Sequence, residues 1–330
     1  MKASIVTATY NSAKRIDAVM DSFLVQDFDD FEIVVVNDGS ADDTANALEK
    51  YRKRRNVVII NQKNKGAVSA RNAGIKKARG EFIAVVDDDG ILERRWLRKM
   101  VGFLGRNPHV GMAYSDIKNK KLENPSFVES LMYDYLMASR GAVNGDKESM
   151  MMCNCFRRSV FEQIGFYDER LGGAKTSGIC ADTEFAQRIR KRFEVLPVRS
   201  AEALHMEGNA RFRVKFLIKK SIEWGRWSSY CYRKFNVRDS YLYISLPMPM
   251  LFYAALGAAA IFTGLFLHAS AIAAITYVIF RRNVMINLLK RNVNPLKLLL
   301  IAPIDFARIM CYNIGNIKYF VKGRPNKRGS

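Results

Sequence analysis

The 330-residue chain has only five cysteines and three histidines, and no G-x-G-x-x-G follows its first strand-like segment. The cysteines are Cys153, Cys155, Cys180, Cys231 and Cys311. An odd count with Cys153 and Cys155 two apart gives neither a disulfide framework nor a spaced zinc set, and points to a reducing compartment. Without the glycine-rich turn, a dinucleotide-dependent dehydrogenase is disfavoured. The N-terminus, MKASIVTATYN, has no apolar signal-peptide run and enters a strand-like segment directly, which predicts a cytoplasmic N-terminal domain. Acidic residues are scarce toward the other end. Residues 1–210 carry 33 basic and 29 acidic side chains, residues 211–280 carry 9 and 2, and residues 281–330 carry 11 and 1. The formal net charge of +21 therefore belongs to the C-terminal third. There the basic clusters flank apolar segments instead of forming a stripe over a polar fold, so a nucleic-acid partner is not expected.

What is present is an alternation. Strand-like segments at 4–8, 32–36, 57–61 and 82–86 are separated by helical segments at about 13–26, 42–54 and 67–79. This order predicts an α/β fold with a Rossmann-like, mostly parallel sheet, right-handed crossovers and helices on both faces. The loops after the strands then share one rim, where ligands of open α/β sheets collect. A further helix is expected at 97–105, strands at 110–115 and 150–156, and a helix at 158–164. Residues 119–149 are polar and irregular apart from a short helical run at 129–138; they read equally as a mobile loop over a ligand or as a surface insertion.

The fourth strand empties into Asp87, Asp88 and Asp89. Three adjacent carboxylates repel one another, and a divalent cation carrying phosphates would offset that repulsion, although a solvated acidic turn is the plain alternative. On the same predicted rim, Asp38 could accept hydrogen bonds from a base or ribose, and Gly39 permits a positive φ or a close backbone approach. Arg71 and Lys65 are candidates for phosphate contact, Arg71 through its fork. Further on, Asp182 and Glu184 suit a helix N-terminus and also suit a general base for a hydroxyl nucleophile. His205 reads as a metal ligand, a phosphate contact or a buried imidazole.

The ordered blocks TATYN at 7–11, VVVNDGSADDT at 34–44, NKGAVSARNAG at 64–74 and ARGEFIAVVDDDG at 78–90, continuing through CNCFRRSVFEQIGFYDERL at 153–171 and ADTEFAQRI at 181–189, resemble family 2 of the nucleotide-sugar glycosyltransferases, of A-type fold. The resemblance covers about the first 210 residues. It implies a nucleotide-sugar site drawing on Thr7, Tyr10, Asn11, Asp38, Lys65, Arg71, Asp87 and Asp88, with Asp38 at the base. It implies Mn2+ or Mg2+ bound by Asp87 and Asp89, with His205 near the diphosphate and a candidate third ligand. The catalytic base falls on Asp182, with Glu184 in reserve, and a single displacement inverts the anomeric carbon. Two positions depart from the family pattern: Asn37 replaces the first carboxylate of the usual VDDGS, and Ala181 replaces a frequent Glu.

Between Asp239 and Arg281 there are 41 residues without a charged side chain. That length predicts a transmembrane helical hairpin at 241–282, a fully buried helix pair being the alternative. Arg233, Lys234 and Arg238 before it, and Arg281, Arg282, Lys290 and Arg291 after it, place both ends in the cytoplasm. Residues 211–235 mix Lys and Arg with Phe, Trp and Tyr as an interfacial amphipathic helix would. The organisation expected is thus a nucleotide-sugar-binding half at 1–118, an acceptor-side half at 119–210, an amphipathic helix at 211–240, the hairpin at 241–282, and interfacial helices with a basic tail at 283–330. The function expected is transfer of a sugar, a UDP-sugar being favoured as donor, to a membrane-associated acceptor such as a polyprenyl phosphate, a lipid-linked oligosaccharide or a surface polysaccharide precursor. The enzyme would be a multi-pass inner-membrane protein with its catalytic domain in the cytoplasm and anionic lipid as a partner. The competing readings are a nucleotidyltransferase and a non-catalytic nucleotide-sugar-binding scaffold.

Overall fold

A computed structural model describes residues 1–119, 124–144, 152–172, 181–206, 213–235, 307, 311–312 and 314, by backbone alone at 119, 137–144 and 226–235. The described residues fall into two compact units, one of 1–119, 152–172 and 181–206, the other of 124–144, 213–235 and the described positions from 307 to 314.

The first unit is built on an eight-stranded sheet. In chain order its elements are β1 (Ala3–Thr9), α1 (Ile16–Leu24), β2 (Phe31–Asn37), α2 (Thr44–Glu49), β3 (Val57–Asn61), α3 (Ala67–Lys77), β4 (Phe82–Val86), β5 (Gly90–Leu92), α4 (Trp96–Arg106) and β6 (Val110–Asn119). After helix α5 (Phe127–Asn144) of the second unit, the sheet is completed by β7 (Cys153–Arg157) and β8 (Glu194–His205), with helices α6 (Arg158–Ile164) and α7 (Ala181–Ile189) between them. The strand order is β3-β2-β1-β4-β7-β6-β8-β5. Pairing directions make β1, β2, β3, β4, β6 and β8 run one way and only β7 and β5 the other. Six carboxyl ends therefore share one rim, as the alternation implies.

The central strands are apolar because both faces are covered. On one face Ile5, Ile33, Val35 and Ala84 meet Ile16, Val19, Met20 and Phe23 of α1 and Trp96, Leu97, Met100 and Leu104 of α4, residues spaced three and four apart along each helix. On the other face α3 lies so close that a Cβ on its Gly74 would meet Val6 and Val36. At the head of β4, a Cβ on Gly80 would lie 2.4 Å from the backbone carbon of Ala3, so only glycine lets the chain enter beside β1. An aromatic group of Phe156, Phe161, Phe166, Tyr167 and Phe185, with ring centroids 4.2–5.9 Å apart, packs β7, α6 and α7 together and so holds α7 against the sheet.

The second unit contains α5 (Phe127–Asn144) and α8 (Val214–Phe235). The start of α5 is a capping box: Ser126 Oγ accepts from Glu129 N at 3.2 Å while Glu129 Oε2 accepts from Ser126 N at 3.0 Å. This reciprocal pair explains why the helix begins ahead of the expected run at 129–138. Leu131, Met132, Tyr135, Leu136, Leu217 and Tyr312 are buried, and a Cβ on Gly225 would collide with the Tyr312 carbonyl.

The expected transmembrane segment requires correction. Among the described residues no helix is long and apolar enough to cross a membrane. The two longest show why: α5 carries Glu129, Asp134 and Arg140, and α8 carries Lys215, Lys219, Lys220, Glu223, Arg226, Arg233 and Lys234. The hairpin expected at 241–282 lies outside the described residues. The C-terminal membrane-spanning region, and the multi-pass inner-membrane location built on it, therefore find no support among the described residues.

Candidate active site

The rim assembles residues that are far apart in the chain. Arg71, on α3, is buried and reaches across the cleft: Nη2 donates to Asp87 Oδ1 at 2.8 Å, just past β4, and Nη1 donates to Asp182 Oδ1 at 2.9 Å, in the first turn of α7. The ring of Tyr167 backs the guanidinium with its centroid 5.2 Å from Cζ. Tyr167 is fixed by Asn72, whose amide oxygen accepts from Tyr167 N at 3.1 Å and whose Nδ2 donates to the Tyr167 carbonyl at 2.9 Å. One turn of α3 thus supplies both the fork and the clamp on its backing ring.

The two carboxylates that Arg71 joins keep 37 % and 34 % of their side chains accessible, Asp87 and Asp182 respectively, so both face the cleft while remaining paired. Burial at the cleft wall raises Asp87; Arg71 pulls it down, but Asp89, Asp182 and Asp88 push it up again, and the balance is about 7. Burial raises Asp182 against the pull of Arg71. For Arg71 burial works against the charge, and Asp182 and Asp87 outweigh it, so the guanidinium stays protonated.

Asp89 stands beside β8. Its carbonyl accepts from Met206 N at 2.8 Å, Gly90 pairs with His205 across the β5–β8 ladder, and the buried His205 ring brings Nε2 to 3.3 Å from Asp89 Oδ2. Asp87, Asp89 and His205 offer carboxylate oxygens and one imidazole, a donor set suited to a hard divalent cation such as Mn2+ or Mg2+. Asp87 Oδ2 has no hydrogen bond among the described residues, which leaves it free as a ligand atom. Among the described residues no three His, Cys, Asp or Glu side chains close a metal site by themselves. The fit is to an ion that takes further oxygens from a bound molecule. Cys153, also at the rim, is buried and pushed well up by that burial and by Asp87 and Asp89, so it remains a neutral thiol.

Asp88 turns the other way. Its carboxylate accepts from Thr9 Oγ1 at 2.9 Å, from Ser12 Oγ in a short bond, and from Arg15 Nη2 at 3.1 and 3.2 Å. Asp38 is buried at the end of β2 and is equally occupied: Oδ1 accepts from Gln62 Nε2 at 2.7 Å and Lys65 N at 2.9 Å, and Oδ2 from Gly66 N at 2.8 Å. Gly39 has φ +69°, and a Cβ there would lie 2.7 Å from Asn64 N, so both properties expected of this glycine are used. Asn37 Oδ1 accepts from Ser40 N and Oγ at 3.1 and 2.6 Å. Asn11, at φ 51°, exchanges bonds with Ser40 and Ala41, and the exposed Tyr10 stands beside it. Lys65 is exposed on the same rim. Thr7 is different: it lies buried within β1, and its Oγ1 has no hydrogen-bond partner among the described residues.

Glu184 is only 2 % exposed and is bound through both oxygens to Arg188 Nε and Nη2, at 2.6 and 2.9 Å. Arg188 in turn donates to the carbonyls of Ile164 and Phe166, so the pair ties α7 to the turn after α6. The i,i+4 spacing of Glu184 and Arg188 is the sequence signal for this role. Arg15, Ser12, Gln62, Asn72 and Tyr167 also belong to the site, and no spacing marks them: each acts across a tertiary contact.

Residues 4–165, just under half of the chain, match the family described as glycosyl transferase family 2. The putative glycosyltransferase EpsH of Bacillus subtilis is 40 % identical over 103 residues, 31 % of this chain and 30 % of EpsH. The poly(ribitol-phosphate) beta-N-acetylglucosaminyltransferase TarS of Staphylococcus aureus is 37 % identical over 108 residues, 32 % of this chain and 19 % of TarS. The poly-beta-1,6-N-acetyl-D-glucosamine synthase of Staphylococcus epidermidis is 25 % identical over 176 residues, 50 % of this chain and 42 % of the synthase. The matched regions thus span less than half the length of each of these relatives. Among solved structures, the mannosyltransferase PcManGT of Pyrobaculum calidifontis, in complex with GDP-Man and Mn2+, superposes with a TM-score of 0.63 at 17 % identity, covering 96 % of this chain and 87 % of PcManGT. The chain shares its fold with that mannosyltransferase, and its segment 4–165, from β1 to α6, is similar to glycosyl transferase family 2.

Proposed function

We propose that the protein is a metal-dependent glycosyltransferase that moves a sugar, with inversion, from a nucleoside-diphosphate sugar to a hydroxyl of a polysaccharide or teichoic-acid-type acceptor. The observation that carries this reading is the Arg71 fork, which sets the carboxylate beside the candidate metal ligands and the carboxylate at the α7 N-terminus on opposite arms of one guanidinium. Asp182 takes the proton from the attacking hydroxyl, and its raised pKa makes it a stronger base than a solvated aspartate. Arg71 presents positive charge where the diphosphate leaves. Asp87, Asp89 and His205 would hold a Mn2+ or Mg2+, which when bound would neutralise the diphosphate charge. With Asp182 as base and Asp87 assigned to the metal, the transfer is a single displacement that needs no covalent nucleophile.

The relatives support the acceptor class, since TarS is named for poly(ribitol phosphate) and the staphylococcal synthase for a sugar polymer. A UDP-sugar is the donor we favour, and PcManGT, with its GDP-Man, makes guanosine donors the first comparison. Within the acceptor class we favour a lipid-linked form: the sequence of α8 includes Lys215, Lys219 and Lys220 with Phe216 and Trp224, a composition that suits anionic headgroups.

The test is release of nucleoside diphosphate from a panel of uridine and guanosine diphosphate sugars, with Mn2+ or Mg2+, offered poly(ribitol phosphate), poly-N-acetylglucosamine or a bacterial lipid extract. Metal-dependent release with one donor, lost in Asp182→Asn and in Asp89→Asn, is the expected result. Donor binding without turnover under every acceptor would instead make the protein a scaffold.

A further inference from the structure

We infer that Asp88 is a positioning residue: it anchors the acidic turn to the loop after β1 and thereby holds Asp87 and Asp89 toward the cleft. The inference rests on the glycosyltransferase reading for its functional consequence and on geometry alone for its structural one. Three adjacent aspartates at a strand end would by their mutual repulsion splay apart or fray. Here the middle one is withdrawn from the set. Its carboxylate is bound by Thr9, Ser12 and Arg15, and Arg15 Nε also donates to the Asp88 carbonyl at 3.0 Å, so a single guanidinium grips both the side chain and the backbone of the turn. Only 16 % of the Asp88 side chain is accessible, less than for Asp87 or Asp89.

The other side of the anchor is itself tied down. Ser12 N donates to Thr44 Oγ1 at 2.7 Å, Ala13 N to Asp42 Oδ2 at 3.1 Å, and Asn11 N to Ser40 Oγ at 3.0 Å. The loop 10–15 is thus a bracket, fastened through Asp88 to the candidate metal turn and through Asn11, Ser12 and Ala13 to the loop that follows Asp38. Nothing in this bracket needs Asp88 to touch a nucleotide. Its role is to keep the turn in register with the base end of the donor site, in the way that outer-shell partners orient metal ligands.

Two measurements on the full chain test this. The first is hydrogen exchange of the ligand-free protein. In Asp88→Asn and in Arg15→Ala, amides of 87–92 and 9–16 should exchange faster than in the wild type, while those of β2 and β3 do not change. The second is calorimetric binding of uridine and guanosine mono- and diphosphates, with and without Mn2+. Each variant should weaken Mn2+-dependent diphosphate binding by about ten-fold, the lower end of the loss seen for outer-shell partners. Metal-free monophosphate binding should stay unchanged. The double variant should be no weaker than the weaker single one, because both remove the same link. Unchanged exchange in 87–92, a loss of metal-free monophosphate binding in Asp88→Asn, or multiplying effects in the double variant would each overturn the inference. If the wild type bound no nucleotide while the exchange result held, the glycosyltransferase reading would fail and the anchor would stand.

Discussion

Arg71 Nη1 lies 2.9 Å from Asp182 Oδ1 across 111 positions of the chain, and this single bond fixes the candidate base relative to the candidate metal turn. Arg71→Lys keeps the charge but loses the fork, so one of the two carboxylates must be released. The expected outcome is a loss of about 100-fold in kcat/KM for nucleoside diphosphate release, the size seen when one preorganised donor to developing charge is removed. Steady-state kinetics against donor, at saturating metal, checks it.

Asp182 and Glu184 are two residues apart and should behave in opposite ways. Asp182→Asn should lower kcat by about 100-fold or more with little change in melting temperature, because it removes a base and leaves an isostere. The Asp182 carboxyl is raised above its ordinary 3.8, and a base must be ionised to work. Activity should therefore rise with pH through that raised value, and this acid limb should vanish from the residual activity of Asp182→Asn. Glu184→Gln should instead cost about 1–3 kcal/mol of stability, since the half-buried Arg188 would keep only half of its pairing with this buried position. Thermal denaturation together with a pH–rate profile separates the two.

At the opposite end of the sheet, Glu32 is 1 % exposed and accepts from Arg79 N at 2.6 Å, Arg79 Nε at 3.0 Å and Ser4 Oγ at 2.8 Å. Burial raises its pKa, but the Arg79 and Ser4 bonds outweigh burial and hold it below its ordinary 4.5. A depressed carboxyl stabilises the folded state fully above the unfolded value, and that contribution is lost as the pH falls through the folded one. Glu32→Gln should therefore be clearly less stable than the wild type at pH 7 in urea melts, and the gap should narrow as the pH is lowered below 4.5.

Much of this arrangement is legible in local sequence. The apolar runs of β1, β2 and β4, each ending in turn residues, locate the rim, and the turn chemistry of Gly39 is written in one residue type. Helix α6 occupies the expected 158–164, and α8 fills the expected amphipathic stretch to within a few residues. What is not legible is which way a rim side chain faces. Asp87, Asp88 and Asp89 are chemically identical in the sequence, and only Arg15 and Arg71, from two different helices' neighbourhoods, decide that the first faces the cleft and the second does not. β5 escapes notice because three residues carry no period, and β8 because polar side chains and Pro197 interrupt its twelve residues. The long uncharged stretch predicts a membrane span from length and apolarity alone; it lies outside the described residues, and the long helices among those residues are charged.

Asp38 offers the sharpest separation of holding from reading. Its three bonds to Gln62, Lys65 and Gly66 use most of the carboxylate's acceptor capacity, and two of the donors are backbone N–H groups that have no alternative geometry. Asp38→Asn leaves one oxygen for the Oδ1 donors but turns an NH2 toward Gly66 N, so a buried donor faces a donor. That mismatch should cost about 1–3 kcal/mol in denaturant melts. Gln62→Ala removes only the side-chain donor and keeps both backbone bonds, so its cost should be smaller, within about 1 kcal/mol. If Asp38 serves only to hold the 62–66 loop, the donor KM of the two variants should rise in proportion to these losses. If it also meets the base, Asp38→Asn should raise KM far beyond what its stability loss explains, and the excess should disappear when the donor is replaced by a sugar diphosphate lacking the base.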